Sequence, residues 1–138
     1  INRYRSLLEG TDRFRYLGVG ITLIEPCREL FRRRVLDGMQ TEIIDSPRAA
    51  KYVISMYPEV SSEILECDNM TGLLHDDVPS YGITLFDDRI AISGCAPDSG
   101  SVKGLIDTDA SDAREWAESV YASYKSDARP LESTPIVE

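Results

Sequence analysis

This chain of 138 residues is poor in the residues that most often carry chemistry. It has one histidine, His75, and three cysteines, Cys27, Cys67 and Cys95, with no C-x-x-C pair among them. That spacing indicates no zinc ribbon, and an odd, scattered set is no disulfide framework. The thiols are expected to be reduced and mostly buried. No apolar run approaches the roughly 18 residues that a membrane-spanning helix needs, and the first residues do not read as a signal peptide. A cytoplasmic protein with no membrane contact and no cofactor is therefore expected. A phosphate-binding loop is missing too, because "LGVGIT" (17–22) lies inside an apolar strand-like run and lacks the Walker lysine. Lysine itself is scarce: Lys51, Lys103 and Lys125 are the only ones, and every other basic residue is arginine. Acidic residues number 24 against 15 basic ones, giving a net charge of −9. Such a chain repels phosphate backbones and should not bind nucleic acid by itself. An acidic, lysine-poor surface is also what a salt-accumulating halophile displays.

What is present suits one domain with a modest core. "YLGVGITLI" (16–24) reads as a central strand covered on both faces. A helix should follow, with Pro26 in its first turn and with Cys27, Leu30, Phe31 and Val35 inward. Arg32, Arg33 and Arg34 should lie mostly outward, and Gly38 should stop it. "MQTEIID" (39–45) reads as a second strand, so strand–helix–strand implies a parallel crossover. Ser46 and Pro47 then open a helix with Ala50, Val53, Ile54 and Tyr57 on its inner stripe, ended by Pro58. A short helix over 59–66 follows. Four strands come next, "GLLH", "YGITLF", "RIAISG" and "VKGLID", with turns at 78–79, 87–88 and 98–100. The last helix, capped by Asp109 or Ser111, should pack Ala113, Trp116, Ala117, Val120 and Tyr124 on the sheet. Its following segment, "ARPLESTPIVE", reads as a frayed tail. The fold class is α/β, a mixed sheet flanked by helices and largely antiparallel in its second half.

The stretch "HDDVPSYGITLFDDRIAISGCAPDSG" (75–100) concentrates the single histidine, two Asp-Asp pairs and a cysteine. Adjacent residues on a strand point to opposite faces, so His75, Asp76 and Asp77 cannot converge on one metal ion. Asp87-Asp88 between two β-rich runs is a hairpin turn first of all. A Cys–His nucleophile pair has no supporting spacing.

From "VPSYGITLFDDRIAISG" through "GLIDTDASDAREWAESVYASYKSDARPL", the sequence resembles the regulatory domain of archaeal winged-helix transcription regulators. The type is that of the methanogenesis regulators and, more distantly, the TrmB-like proteins. The earlier "VGITLIEP" and "FRRRVLDGMQTEIIDSP" are similar to the opening β-α-β unit of that family. The resemblance implies a phospholipase D-like half-domain. In that superfamily an active half carries His-x-Lys, whereas here Asp77 stands two residues after His75 and would repel a phosphodiester. It therefore implies a non-catalytic domain that senses a small-molecule effector and forms a homodimer. Duplex DNA would be bound only through a missing N-terminal winged-helix domain. On this view residues 1–14 are a linker or helix leading from that domain, 15–131 the regulatory domain and 132–138 a flexible tail. An effector site near the sheet edge would draw on Asp45, His75, Tyr81, Ser93 and Cys95. The alternatives are a phosphodiesterase using His75, and an interaction module without ligand.

Overall fold

A computed structural model describes residues 2–18, 27–79, 81–95 and 102–131. In chain order the elements are α1 (Asn2–Gly10), β1 (Arg13–Leu17), α2 (Arg28–Leu36), β2 (Gln40–Asp45), α3 (Pro47–Met56) and α4 (Pro58–Leu65). They continue with β3 (Met70–Leu74), β4 (Tyr81–Leu85), β5 (Ile90–Cys95), β6 (Val102–Thr108), α5 (Ser111–Ser126) and β7 (Arg129–Pro130). The strands form one mixed sheet in the order β6-β5-β4-β1-β2-β3-β7. Strands β1, β2 and β3 run parallel, and β4, β5 and β6 continue antiparallel from β1. "GLLH" thus extends the parallel half rather than opening the antiparallel one.

Alternation along the strands divides the core between two faces. Phe14 and Tyr16 of β1 face a cluster built with Tyr4 and Leu8 of α1, Leu30, Phe31 and Val35 of α2, and Ile64 of α4. Phe14 meets Phe31 and Phe86 edge-on, with ring centroids 5.6 and 5.9 Å apart, the arrangement that aromatic quadrupoles favour. Leu17, Ile44, Ile83, Leu85 and Ile90 turn to the other face, where α5 lies over them with Ala117 and Tyr121. Among the described residues, α1, α2 and α4 therefore cover one face and α5 the other. Helix α1 is part of the core, since Tyr4 and Leu8 are each 1% exposed and the Tyr4 hydroxyl lies 3.1 Å from Thr84 Oγ1. Arg34 reaches back from α2 to the carbonyls of Leu8 and Thr11, satisfying the open end of α1. It is not the outward residue its spacing suggested.

Local signals act as their chemistry dictates. Ser46 Oγ accepts the Ala49 N–H at 3.1 Å and caps α3, with Pro47 at its first position. Gly38, at φ +107°, takes the left-handed conformation that ends α2. Asp87 and Asp88 sit in a tight hairpin closed by the Phe86 N–H donating to Arg89 O at 2.8 Å. Asp87 does more than turn the chain: its carboxylate accepts the backbone N–H groups of Asp12 and Arg13, tying the hairpin to the start of β1.

Three expectations need correction. Neither Asp109 nor Ser111 caps α5; Ala110 holds the cap position without a side-chain bond, and Thr108 Oγ1 takes the Ala110 N–H. Trp116 is 44% exposed, because the buried stripe of α5 centres on Ala117 and Tyr121, about 100° round the helix from it. The segment after α5 is not frayed from its start, since Arg129-Pro130 pairs with β3 as β7. The far end of the first strand, Pro26, the turn at 98–100 and the tail 132–138 lie outside the described residues.

Candidate functional site

The five residues singled out in the sequence all stand at one end of the sheet, where β1, β2 and β3 finish, β4 begins and β5 ends. They do not converge. Asp45 and His75 end neighbouring strands, and the His75 N–H donates to Asp45 O at 3.0 Å. Ser93 stands three strand spacings from Asp45, roughly 14 Å at the usual inter-strand distance. It is 2% exposed and faces Tyr16 across Gly82, where an added Cβ would fall on the Tyr16 hydroxyl and 2.7 Å from Ser93 Oγ. Tyr81 is half-exposed at the start of β4. The backbone of Cys95 pairs with Val102 at an irregularity in the β5–β6 ladder; its side chain lies outside the described residues.

His75 has a structural environment. Its ring contacts that of Tyr124 on α5 at 4.9 Å between centroids, and its Nδ1 accepts the Asp77 N–H at 2.9 Å. Asp77 thus fixes the imidazole through its backbone N–H.

Asp45 lies where a ligand could be held. On the face opposite α5, strands β2 and β3 and helices α2, α3 and α4 border a half-open cavity of about 140 Å³. Ile43, Leu73 and Leu74 contribute from the sheet, and the expected inner stripe of α3 (Ala50, Val53, Ile54 and Tyr57) faces this space. Only Ala49 among the ten residues of α3 is buried, so the helix covers the cavity without being locked into the core. Gly72 leaves room beside Leu131, whose side chain stands 3.0 Å from where a glycine Cβ would be. That contact places the segment after β7 on the cavity wall. The spacing of α3 revealed its inner stripe, but nothing in the sequence indicated that the stripe borders a space, or that Arg28 and Leu131 join it.

Two charged residues line this apolar cavity. Burial pushes the Asp45 carboxyl up to about 7, opposed only by the Ser46 N–H that donates to Oδ1 at 2.8 Å. The Arg28 guanidinium lies over the ring of Tyr57, 4.4 Å from its centroid. Among the described residues no three His, Cys, Asp or Glu side chains gather as metal ligands. No helix of the described residues is long and apolar enough to cross a membrane.

The opposite face is cross-braced. Arg15 of β1 forms two hydrogen bonds to Glu118 of α5, at 2.8 and 2.6 Å, and lies 5.4 Å from the Tyr121 ring centroid. Tyr121 in turn donates to Glu42 Oε1 at 2.6 Å, and Lys125 pairs with Glu42 at 3.0 Å. The hydrogen bonds from Arg15 hold Glu118 below the usual carboxylate range.

The domain is thus a mixed α/β sheet with helices on both faces and a pocket on one of them. Residues 1–127 match the family described as methanogenesis regulatory protein FilR1, middle domain, and the chain belongs to that family. It is a regulatory domain of the archaeal transcription-regulator type, as the sequence resemblance indicated. No curated protein matches it by sequence. Its fold is similar to that of TrmBL2, an archaeal chromatin protein whose structure is described as showing a novel mode of DNA binding. The TM-score is 0.70 at 8% identity, covering 93% of this chain and 48% of TrmBL2. It is also similar to NucT from Helicobacter pylori, with a TM-score of 0.69 at 10% identity, covering 94% of this chain and 89% of NucT. At these identities the likeness is one of fold. The chain spans about half the length of TrmBL2.

Proposed function

We propose that this domain senses a small-molecule effector and forms a homodimer within a transcription regulator, with DNA bound by a part of the protein outside this chain. The cavity beneath α3 is the observation that supports sensing: a loosely seated helix over a small apolar space responds readily to whatever fills it. The net charge of −9 supports placing DNA contact elsewhere. So does the pairing on α2, where Arg32 is held by Glu63 and Glu29, and Arg34 turns inward to α1. Dimerisation is supported by the exposed apolar side chains on the α5 side, Ile106 at 72% and Trp116 at 44%. Ile106 lies on β6, an edge of the sheet among the described residues. The domain is read as non-catalytic, because Asp77 stands two residues after His75 and the imidazole is engaged with Tyr124 and the Asp77 N–H.

The test is a cavity-filling variant of the intact regulator. Ala50→Trp puts bulk into the space under α3. It should leave operator affinity in vitro unchanged while fixing the regulated promoter in one state across growth conditions. Normal regulation by a folded Ala50→Trp protein would remove the cavity from the sensing role.

A further inference from the structure

The cavity has a specific chemistry. Its walls are almost wholly apolar, yet Asp45 presents a carboxyl to it with only one oxygen engaged: Oδ1 takes the Ser46 N–H, and Oδ2 has no hydrogen-bond partner among the described residues. Ser61 of α4, 8% exposed, also lines the space, and its hydroxyl has no partner among the described residues either. Among the described residues Arg15 Nε is the only buried side-chain polar atom without a partner, so these two oxygens keep accessible surface and a ligand in the space can reach them. Beside apolar walls they gain from a polar partner. A hydrophobic pocket built only for packing would carry neither. The other charged lining residue, Arg28, is exposed and its guanidinium is occupied by the Tyr57 ring.

We infer that the cavity takes a small apolar primary amine, its ammonium group seated on the Asp45 carboxylate with Ser61 accepting a further N–H and its hydrocarbon part against Val53, Ile54 and Leu74. This deepens the effector-sensing reading above and rests on it. Size follows from volume: an apolar cavity of about 150 Å³ holds benzene, so roughly six to eight heavy atoms fit here. The sign of the charge follows from the lining. A carboxylate ligand would stand beside Asp45 and be repelled, and an alcohol would satisfy one oxygen without compensating charge. An ammonium group does both, and ion pairing inside an apolar wall is strong only when the partners match in charge and hydrogen bonding. The acidic surface also draws cations toward the domain. Because Asp45 is held mostly protonated below neutrality by burial, binding of an ammonium ion at pH 6 releases a proton as the carboxyl ionises.

The experiment is calorimetric titration of this protein with four probes of nearly one shape: benzylamine, benzyl alcohol, toluene and benzoate. Benzylamine should bind at least tenfold more tightly than the other three. At pH 6 its binding heat should vary with buffer ionisation enthalpy, reporting release of close to one proton. Asp45→Asn should abolish both the preference and the proton release while toluene binds as it does to the parent; Asp45→Ser serves should the first variant fold poorly. Equal binding of all four probes, tighter binding of benzoate, or an amine preference that survives in both variants would overturn the inference. So would the absence of binding by any probe. None of these results decides the Ala50→Trp experiment, which separately judges whether the cavity is used for sensing.

Discussion

The imidazole of His75 lies against the ring of Tyr124, with centroids 4.9 Å apart and planes inclined by 59°. The contact joins the end of β3 to the last turn of the last helix, and the Asp77 N–H donates to the ring Nδ1. The only histidine of the chain is thereby held in a packing contact. His75→Ala should cost about 1 kcal/mol in urea unfolding, from one hydrogen bond and one aromatic contact. Hydrolysis of a phosphodiester by the parent should be indistinguishable from buffer and unaltered by the substitution. Robust turnover that vanishes in the variant would restore the enzymatic alternative.

Asp45 gives the protein a distinctive pH dependence. In the folded state its carboxyl is raised to about 7 from an ordinary 3.8. Below about pH 4 both folded and unfolded chains hold this proton. Between about 4 and 7 the unfolded chain gives it up while the folded chain keeps it, so unfolding releases a proton and stability falls as pH rises. The loss is complete above about 7 and is on the order of 2–4 kcal/mol. Denaturation of Asp45→Asn across pH 4 to 8 should show this slope removed. Glu63, Glu118 and Asp107, lowered by their arginine partners, act in the opposite sense and at lower pH, below the ordinary carboxylate range. A parent whose stability is flat from pH 5 to 8 would show that the carboxyl is solvated.

Gly82 is a position where one methyl group should be felt. A Cβ there would fall on the Tyr16 hydroxyl and against Ser93 Oγ, between strands that are buried on both sides. Gly82→Ala should destabilise by roughly 1–3 kcal/mol, the range for overpacked cores. Gly10→Ala, with nothing within 4 Å of the added atom, is the control and should be close to neutral. Equal melting of the two variants would mean that Tyr16 moves aside at little cost.

The exposed Trp116 and Ile106 offer a surface for self-association. A specific dimer should bury about 1,200–2,000 Å² in total. Since like charges on an acidic surface are screened by salt, association should strengthen as salt is raised. Sedimentation of the protein at low and high salt should show this, and Ile106→Glu should leave it monomeric. Trp116→Ala should weaken the dimer while changing monomer stability by less than about 0.5 kcal/mol, as for other surface changes. A monomer at every salt concentration, at tens of micromolar, would place dimerisation in another part of the regulator.

Much of this protein is written locally. Ser46-Pro47, Gly38 and the alternating apolar runs determine where α3 begins, where α2 ends and which segments are strands, because capping, backbone freedom and side-chain period act over a few residues. The acidic pair at 87–88 was legible as a turn for the same reason, and Asp45 as a strand-end carboxyl. Only the tertiary structure decided what these groups face. The sheet order separates Asp45 from Ser93 by three strand spacings, so residues alike in sequence position share no site. Trp116 lies outward and Tyr121 inward because the buried stripe of α5 is set by the twisted surface of β4 and β5, not by hydrophobicity alone. The cavity is a property of no segment: it arises where α3 spans β2 and β3 without filling the gap at Gly72, and where Leu131 returns beside β3 to close its wall. Packing at such distances depends on how whole elements meet, and a linear pattern does not encode the space left between them.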